Sequence, residues 1–132
     1  MKNISWDESL TVDVTEIDED HQKLVELYNL LSHSIEEGAS AEYIAVVLEE
    51  MISFTVWHFR HEERLMVLYN YPDLAAHRTE HNDLIDSAQE VQQKFQQKKM
   101  LTEADIDYLE TWLTEHILGH DMRLGFYLLK VM

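Results

Sequence analysis

The 132-residue sequence contains no cysteine, one proline and three glycines, and it has no long apolar run. The absence of cysteine excludes disulfides, thiolate metal sites and cysteine nucleophiles, and it fits a reducing compartment. The first ten residues, MKNISWDESL, do not form a signal peptide, and no segment is apolar enough to span a membrane. We therefore expect a cytoplasmic protein with no membrane insertion.

Basic residues are also scarce. Ten Lys and Arg stand against 26 Asp and Glu, which gives a formal net charge of −16 at pH 7. Such a charge repels nucleic-acid phosphates and anionic membranes, so we expect no nucleic-acid partner. A chain of this length can bury one hydrophobic core, which predicts a single domain over residues 1–132.

Apolar residues recur at three- and four-residue steps over most of the chain, which is typical of amphipathic helices. We predict an extended N-terminal arm over 1–15 that packs Trp6 onto the body. Four helices and a short C-terminal segment should follow, at about 18–37, 41–69, 73–99, 103–119 and 120–132.

The predicted helix ends carry recognisable signals. Gly38 suits the end of the first helix, Ser40 suits an N-cap, and Pro72 suits the start of the third helix. Thr102 followed by Asp105 resembles a capping box. Four helices with short connections predict an all-α fold, an antiparallel up-down-up-down four-helix bundle.

Histidine and carboxylate side chains occur in pairs at helical spacing between Thr55 and His81. His58 and Glu62 are four residues apart, and so are His77 and His81. Positions four apart lie one turn above each other on the same face of an α-helix. The pattern predicts two neighbouring helices that each direct two metal-ligand side chains the same way.

Side chains of this kind fall on the inward stripes of all four predicted helices: His21, His58, Glu62, His77, His81 and His116. Burying a polar group without a partner costs free energy. The burial of a set this large therefore needs an explanation. One metal ion cannot comfortably use five imidazoles and two carboxylates, whereas two metal ions can, with the carboxylates as bridges. Nitrogen and oxygen ligands without sulfur suit iron, manganese or zinc. A purely structural histidine cluster is the alternative.

The mixture of ligands also bears on the chemistry. Ferritin-like di-iron enzymes use Glu-x-x-His pairs and many carboxylates, and this chain contains no Glu-x-x-His. Neutral imidazoles donate less charge than carboxylates, so a histidine-rich pair should stabilise high-valent iron poorly. That tendency favours reversible O₂ binding over O–O cleavage.

Four motifs in order resemble the haemerythrin (hemerythrin) family, specifically its single-domain bacterial members, the bacteriohemerythrins. They are D-E-D-H at 18–21, H-F-R-H-E-E at 58–63, Y-P with H-x-x-x-H at 71–81, and W-L-T-E-H-I-L-G-H-D at 112–121. The resemblance covers nearly the whole chain, from the arm containing Trp6 to the fourth helix. It implies reversible O₂ binding at two iron ions (Fe²⁺/Fe³⁺) joined by an oxo or hydroxo bridge.

The resemblance also implies roles for individual residues. One iron would be held by His77, His81 and His116, the other by His21 and His58, and both would be bridged by Glu62 and Asp121. The second iron would keep an open position for O₂. The residues that match the apolar wall of the family's O₂ pocket are Phe59, Trp112, Leu113 and Ile117.

Asp121 does not have the spacing that a regular helix would require. It follows His116 by five residues, which rotates it about 140° away on an ideal helix, whereas His120 has the better spacing. We keep Asp121, because the resemblance implies a second bridging carboxylate at this position. The assignment predicts that the helix widens near Gly119, as a π-type turn allows.

Three further histidines are outside this ligand set. His120 departs from the family, in which this position is usually apolar or small and polar. It could hydrogen-bond near the irons, compete as a ligand, or face outward. We expect His33 and His61 at the surface or at the edge of the site.

The resulting hypothesis is an O₂ carrier or store, not an enzyme, acting as a monomer and supplying O₂ to an O₂-consuming protein. A sensor of O₂ or redox state that acts on a partner protein is the first alternative. A di-iron peroxidase is the second.

Overall fold

The computed structural model describes residues 4–132, without the side chain of Leu118. The helices are α1 (Thr15–Glu36), α2 (Ala41–Leu68), α3 (Leu74–Lys98), α4 (Glu103–His116) and α5 (Met122–Val131), and a π-helical segment (Ile117–Asp121) joins α4 to α5. A 3-10 turn (Glu8–Leu10) lies in the arm. The predicted four-helix bundle is confirmed, and no strand occurs in the described part of the chain.

The arm precedes α1 and packs on the body as predicted. Trp6 lies against the main core, although the first three positions of the arm are outside the described residues. Helix α1 begins at Thr15 rather than near 18. Glu16 and Asp18 lie in its first turn, where negative charge is favourable. Asp18 also accepts from the backbone N–H of Val12 at 2.8 Å, which ties the arm to α1.

The helix ends follow the sequence signals closely. Ser40 caps α2 by accepting from the backbone N–H of Tyr43, and Gly38 has the positive φ of 71° typical of a helix end. Thr102 and Asp105 form the predicted capping box. Helix α3 begins at Leu74, two residues after Pro72.

The fourth helix does not end at 119 as predicted. It continues through the π-helical segment into α5, so that residues 103–131 are helical throughout. Gly125 lies where the arm crosses α5: a Cβ there would stand 2.6 Å from the Val12 carbonyl oxygen. The glycine therefore permits close packing of the arm rather than ending the helix.

Two clusters of buried apolar side chains fill the bundle. The larger includes Leu24, Leu31, Leu48, Ile106 and Leu113, and the smaller joins the arm and α1 to α2 and α5. The polar cluster described below is buried in the same interior. No helix in the described residues is long and apolar enough to cross a membrane.

Candidate metal centre

All four long helices direct polar side chains to one buried place. These residues are His21 on α1, His58 and Glu62 on α2, His77 and His81 on α3, His116 on α4, and Asp121 at the end of the π-helical segment. None is more than 3% exposed. The structure thus brings together every side chain that the sequence analysis assigned as a ligand.

The cluster divides into two groups that could each hold a metal ion. One is formed by His77, His81, His116, Glu62 and Asp121, and the other by His21, His58, Glu62 and Asp121. Within each group the ligand atoms all lie within 4.8 Å of one another. The two groups share both carboxylates and no histidine.

Asp121 contacts imidazoles of both groups. Its Oδ1 is 3.0 Å from His77 Nε2, and its Oδ2 is 2.7 Å from His21 Nε2 and 2.9 Å from His116 Nε2. A carboxylate that lies between the two groups in this way could bridge two cations.

Glu62 directs one oxygen to each group. Its Oε1 is 3.0 Å from His81 Nε2, and its Oε2 is 3.5 Å from His58 Nε2. Two carboxylates in parallel could therefore bridge two cations, with three imidazoles on one side and two on the other.

The π-helical segment makes this position of Asp121 possible. A π-turn contains one more residue than an α-turn, so a residue five positions after His116 returns to the face that residue four would occupy. The predicted widening near Gly119 is present, because the segment covers Ile117–Asp121. Asp121 is fully buried as a result.

Several buried polar atoms of the cluster have no hydrogen-bond partner in the described protein. They include His58 Nε2 and Glu62 Oε2, which lie 3.5 Å apart and both belong to the ligand set. Buried polar groups are normally paired, and a ring nitrogen and a carboxylate oxygen that face each other without a hydrogen bond fit a cation between them. The residues therefore fit a pair of divalent cations bound through nitrogen and oxygen.

The charges within the cluster shift the pKa values of its members strongly. Burial by itself opposes charge on His58, but Glu62, Asp121 and Asp20 outweigh burial and raise its pKa to about 9. His77 responds in the same way to Asp121 and Glu62, and its pKa is also raised to about 9. Protons thus compete with metal for these imidazoles.

The pKa values of two further buried members, Asp121 and His116, are also shifted. Burial opposes ionisation of Asp121, yet His116, His21 and His58 hold its carboxyl pKa well below its usual value. Burial likewise opposes charge on His116, but Asp121 and Glu62 raise its pKa well above 6.5.

A second layer of carboxylates surrounds the histidines of the cluster. These carboxylates were not predicted from the sequence. In three places a carboxylate oxygen lies within hydrogen-bond distance of a histidine Nδ1: Asp20 with His58 (2.9 Å), Glu63 with His81 (2.9 Å) and Glu80 with His116 (3.2 Å). Such contacts fix the ring orientation and increase the basicity of the other ring nitrogen, the one that would bind metal.

Each of these carboxylates supports a histidine on the next helix along the chain. Asp20 precedes His21 but contacts α2, Glu63 follows Glu62 but contacts α3, and Glu80 lies on α3 but contacts α4. The only sequence signal for these carboxylates is that each one is adjacent to, or in the same helix turn as, a predicted metal ligand on its own helix. Adjacent helix positions are about 100° apart, so such a neighbour points sideways to the next helix.

His120 stands outside both ligand groups. Its Nε2 is 2.5 Å from Glu80 Oε2, and its side chain is 35% exposed. This contact with Glu80 places His120 near the site and outside the ligand groups. Burial lowers the pKa of His120, with Glu80 opposing and Arg123 adding to the decrease.

His33 and His61 differ in exposure. His33 is exposed, as expected. His61 lies at the edge, with only 14% of its side chain exposed, and its Nδ1 is 2.6 Å from Asp20 Oδ2. It therefore supports the carboxylate that contacts His58.

A small apolar pocket borders the cluster beside His116. It has no room for a water molecule and is lined by Leu24, Thr55, Phe59, Leu84, Trp112, Leu113 and His116. Three of the four predicted wall residues line it; Ile117 does not, and it is buried in the main core together with Trp112 and Leu113. The hydroxyl of Thr55 donates to the Met51 carbonyl, and the indole N–H of Trp112 donates to the Leu84 carbonyl.

Comparisons with known proteins concern the same region of the chain. The family described as "Hemerythrin HHE cation binding domain" matches residues 12–125, which include all seven residues of the cluster. A hemerythrin-like protein of Naegleria gruberi is 33% identical over 119 residues, which are 90% of this chain and 88% of that protein. A bacteriohemerythrin of Pseudomonas paraeruginosa is 32% identical over 121 residues, or 92% of this chain and 78% of that protein.

The fold is also similar to a solved structure. A crystal structure of wild-type hemerythrin aligns with a TM-score of 0.85 and 26% identity, over 96% of this chain and 98% of that one. The match to the family extends from the arm to α5, and the chain belongs to the hemerythrin family.

Proposed function

We propose that this protein binds O₂ reversibly at a non-haem di-iron centre and acts as an oxygen carrier or store. The observation that supports the proposal most strongly is the sharing of Glu62 and Asp121 by two histidine groups, since each carboxylate contacts imidazoles of both groups. His77, His81 and His116 would hold one iron, and His21 and His58 the other. An oxo or hydroxo group would complete the bridge.

The two groups differ by one histidine, so the two proposed irons would have different numbers of protein ligands. The group with His21 and His58 is one ligand short of the other, so it would leave the position that O₂ takes. When bound, the two irons would supply the electrons that hold O₂. The protein residues would hold the irons and exclude water, and the carboxylates that contact the ring Nδ1 atoms would orient the imidazoles for binding.

The pocket supports carriage rather than turnover. Its two polar side chains, Thr55 and Trp112, already donate to backbone carbonyls, so neither is free to orient a substrate or deliver a proton. The other lining residues, apart from His116, are apolar. An apolar wall limits access of water to the bound gas.

We further propose a monomeric, cytoplasmic protein that supplies O₂ to an O₂-consuming protein. The absence of cysteine is compatible with a reducing compartment. A sensor role would use the same centre and would differ in having a partner whose binding depends on O₂.

Anaerobic loading with Fe²⁺, followed by cycles of O₂ and vacuum, tests the proposal. We expect two irons per chain, a nearly colourless reduced form, and a visible absorption band that appears with O₂ and disappears under vacuum. Irreversible conversion to an oxidised form, or H₂O₂-dependent turnover at about 1 s⁻¹ or faster, would favour a sensor or a peroxidase.

A further inference from the structure

One surface groove on the outer side of α2 has a composition unlike the rest of this acidic protein. We call it the arginine groove; it has a volume of about 510 Å³ and is lined by Arg60, Glu63, Arg64, Val67, Leu68 and Arg78. It opens to solvent between α2 and the beginning of α3.

Positive charge is concentrated in this groove. Three of the chain's four arginines line it, in a protein whose formal net charge is −16. Its one carboxylate, Glu63, is already paired with Arg60 at 3.0 Å and with Arg78 at 3.5 Å. Arg64 forms no ion pair within the described residues, so its guanidinium is available to an incoming carboxylate.

Exposed apolar side chains accompany the arginines on α2. Val67 is 57% exposed and Leu68 67% exposed, and Trp57, 51% exposed, precedes them on the same face of the helix. Arginine and tryptophan are the residues most enriched among those that dominate the binding energy of protein interfaces. The face from Trp57 to Leu68 therefore has the composition of an interface.

We propose that the arginine groove and Trp57 dock an acidic amphipathic helix of another protein. Carboxylates one turn apart on that helix would pair with Arg60 and Arg64, which are themselves one turn apart on α2. Its apolar face would cover Trp57, Val67 and Leu68. An acidic partner is selected by charge, because the rest of this protein's surface repels it.

The same groove is connected to the candidate metal centre. Arg60 and Arg78 hold Glu63, whose Oε2 lies 2.9 Å from His81 Nδ1. A docked carboxylate competes with Glu63 for these arginines and so alters the support of His81. This step depends on the proposed function, and it predicts that helix affinity differs between the O₂-bound and O₂-free protein, since such coupling is reciprocal.

The docking is tested by NMR, observing the Nε–Hε resonances of the arginine side chains in the purified, metal-loaded protein. The probe is a synthetic helical peptide of about 15 residues with Glu and Leu at i, i+4 spacing. A peptide with Gln in place of Glu is the matched control. We expect saturable shifts at Arg60 and Arg64 with the acidic peptide and a dissociation constant below about 1 mM.

Two variants distinguish binding at the arginine groove from a general effect of net charge on binding. Arg64→Ala should weaken binding at least about fivefold, whereas Lys98→Ala, an equal loss of charge at the far end of α3, should change it less than about twofold. Equal binding of the Gln peptide, equal effects of the two variants, or identical shifts with inorganic phosphate would overturn the proposal. So would arginine shifts that depend on protein concentration without peptide, because a second copy would then be the occupant. Absence of an O₂-dependent band would contradict the proposed function but leave the peptide result standing.

Discussion

His116 Nε2 and Asp121 Oδ2 lie 2.9 Å apart, although five residues separate them in the sequence. The π-helical segment between them absorbs the additional residue and turns both side chains to the same buried point. The second carboxylate that two cations require is therefore provided by a local change of helix type. A regular helix would have presented His120 in its place.

The contrast between Asp121 and His120 predicts different effects on metal content. Asp121→Ala should remove a shared oxygen donor from both groups and lower bound iron to one per chain or fewer. His120→Ala should retain two, because His120 belongs to neither ligand group and contacts Glu80 instead. Iron analysis after gel filtration of both variants measures this difference. Loss of iron from His120→Ala with retention in Asp121→Ala would reverse the assignment.

The carboxylates that contact the histidines should contribute to metal affinity without touching metal. Glu63→Gln should weaken metal binding by about 10- to 100-fold, because an amide supports the His81 ring less strongly than a carboxylate. Competition with a chelator of known affinity gives the dissociation constant. Glu50→Gln, an exposed change on the same helix, serves as the control and should leave affinity unchanged.

The stability of the metal-free protein should depend on pH in a window set by the cluster. His58 and His77 have pKa values raised from 6.5 to about 9, so their stabilisation is complete below pH 6.5 and is lost as pH rises to about 9. The pKa values of Glu62 and Asp121 are lowered from 4.5 and 3.8, so their contribution is present above those values and lost on acidification.

Thermal unfolding of the metal-free protein should therefore show the highest Tm between about pH 5 and 6.5, with a decline toward pH 9. His77→Gln should reduce that decline, whereas His33→Gln, at an exposed position, should not. Metal binding should strengthen over the same pH range, because fewer protons compete for the imidazoles. A Tm that stays constant from pH 6.5 to 9 would contradict this interpretation.

The apolar pocket should protect the O₂ complex from water. Leu24 and Leu109 are each 1% exposed, but only Leu24 lines the pocket. Leu24→Ala and Leu109→Ala should both lower the free energy of unfolding by about 2–5 kcal/mol. Only Leu24→Ala should accelerate decay of the O₂-dependent absorption band in air, and equal decay rates in the two variants would mean that the pocket wall has no protective role.

The bundle and the ligand set could be predicted from the sequence because both are periodic. Apolar residues at three- and four-residue steps define each helix, and His58 with Glu62 or His77 with His81 share a face by spacing alone. Asp121 could not be placed by spacing, because a regular helix contradicts it; the family resemblance and the requirement for a second bridge supplied that prediction.

The side-chain contacts between helices could not be predicted from the sequence. The sequence places Glu63 beside the predicted ligand Glu62, but it does not identify His81 as the residue that Glu63 contacts, or Asp20 as the residue that His61 contacts. These pairs depend on how neighbouring helices are rotated. The same limit explains Ile117, whose predicted place in the pocket wall was not found. The one additional residue in the π-turn changes the direction in which each neighbouring side chain points.

The ratio of O₂ released to iron bound tests the central claim most directly. The reduced protein is saturated with O₂ and freed of excess gas, and the O₂ recovered under vacuum is measured together with iron per chain. One O₂ for every two irons, repeated over several cycles without loss, is the predicted result. Recovery of no O₂ from protein that contains two irons per chain would contradict reversible binding.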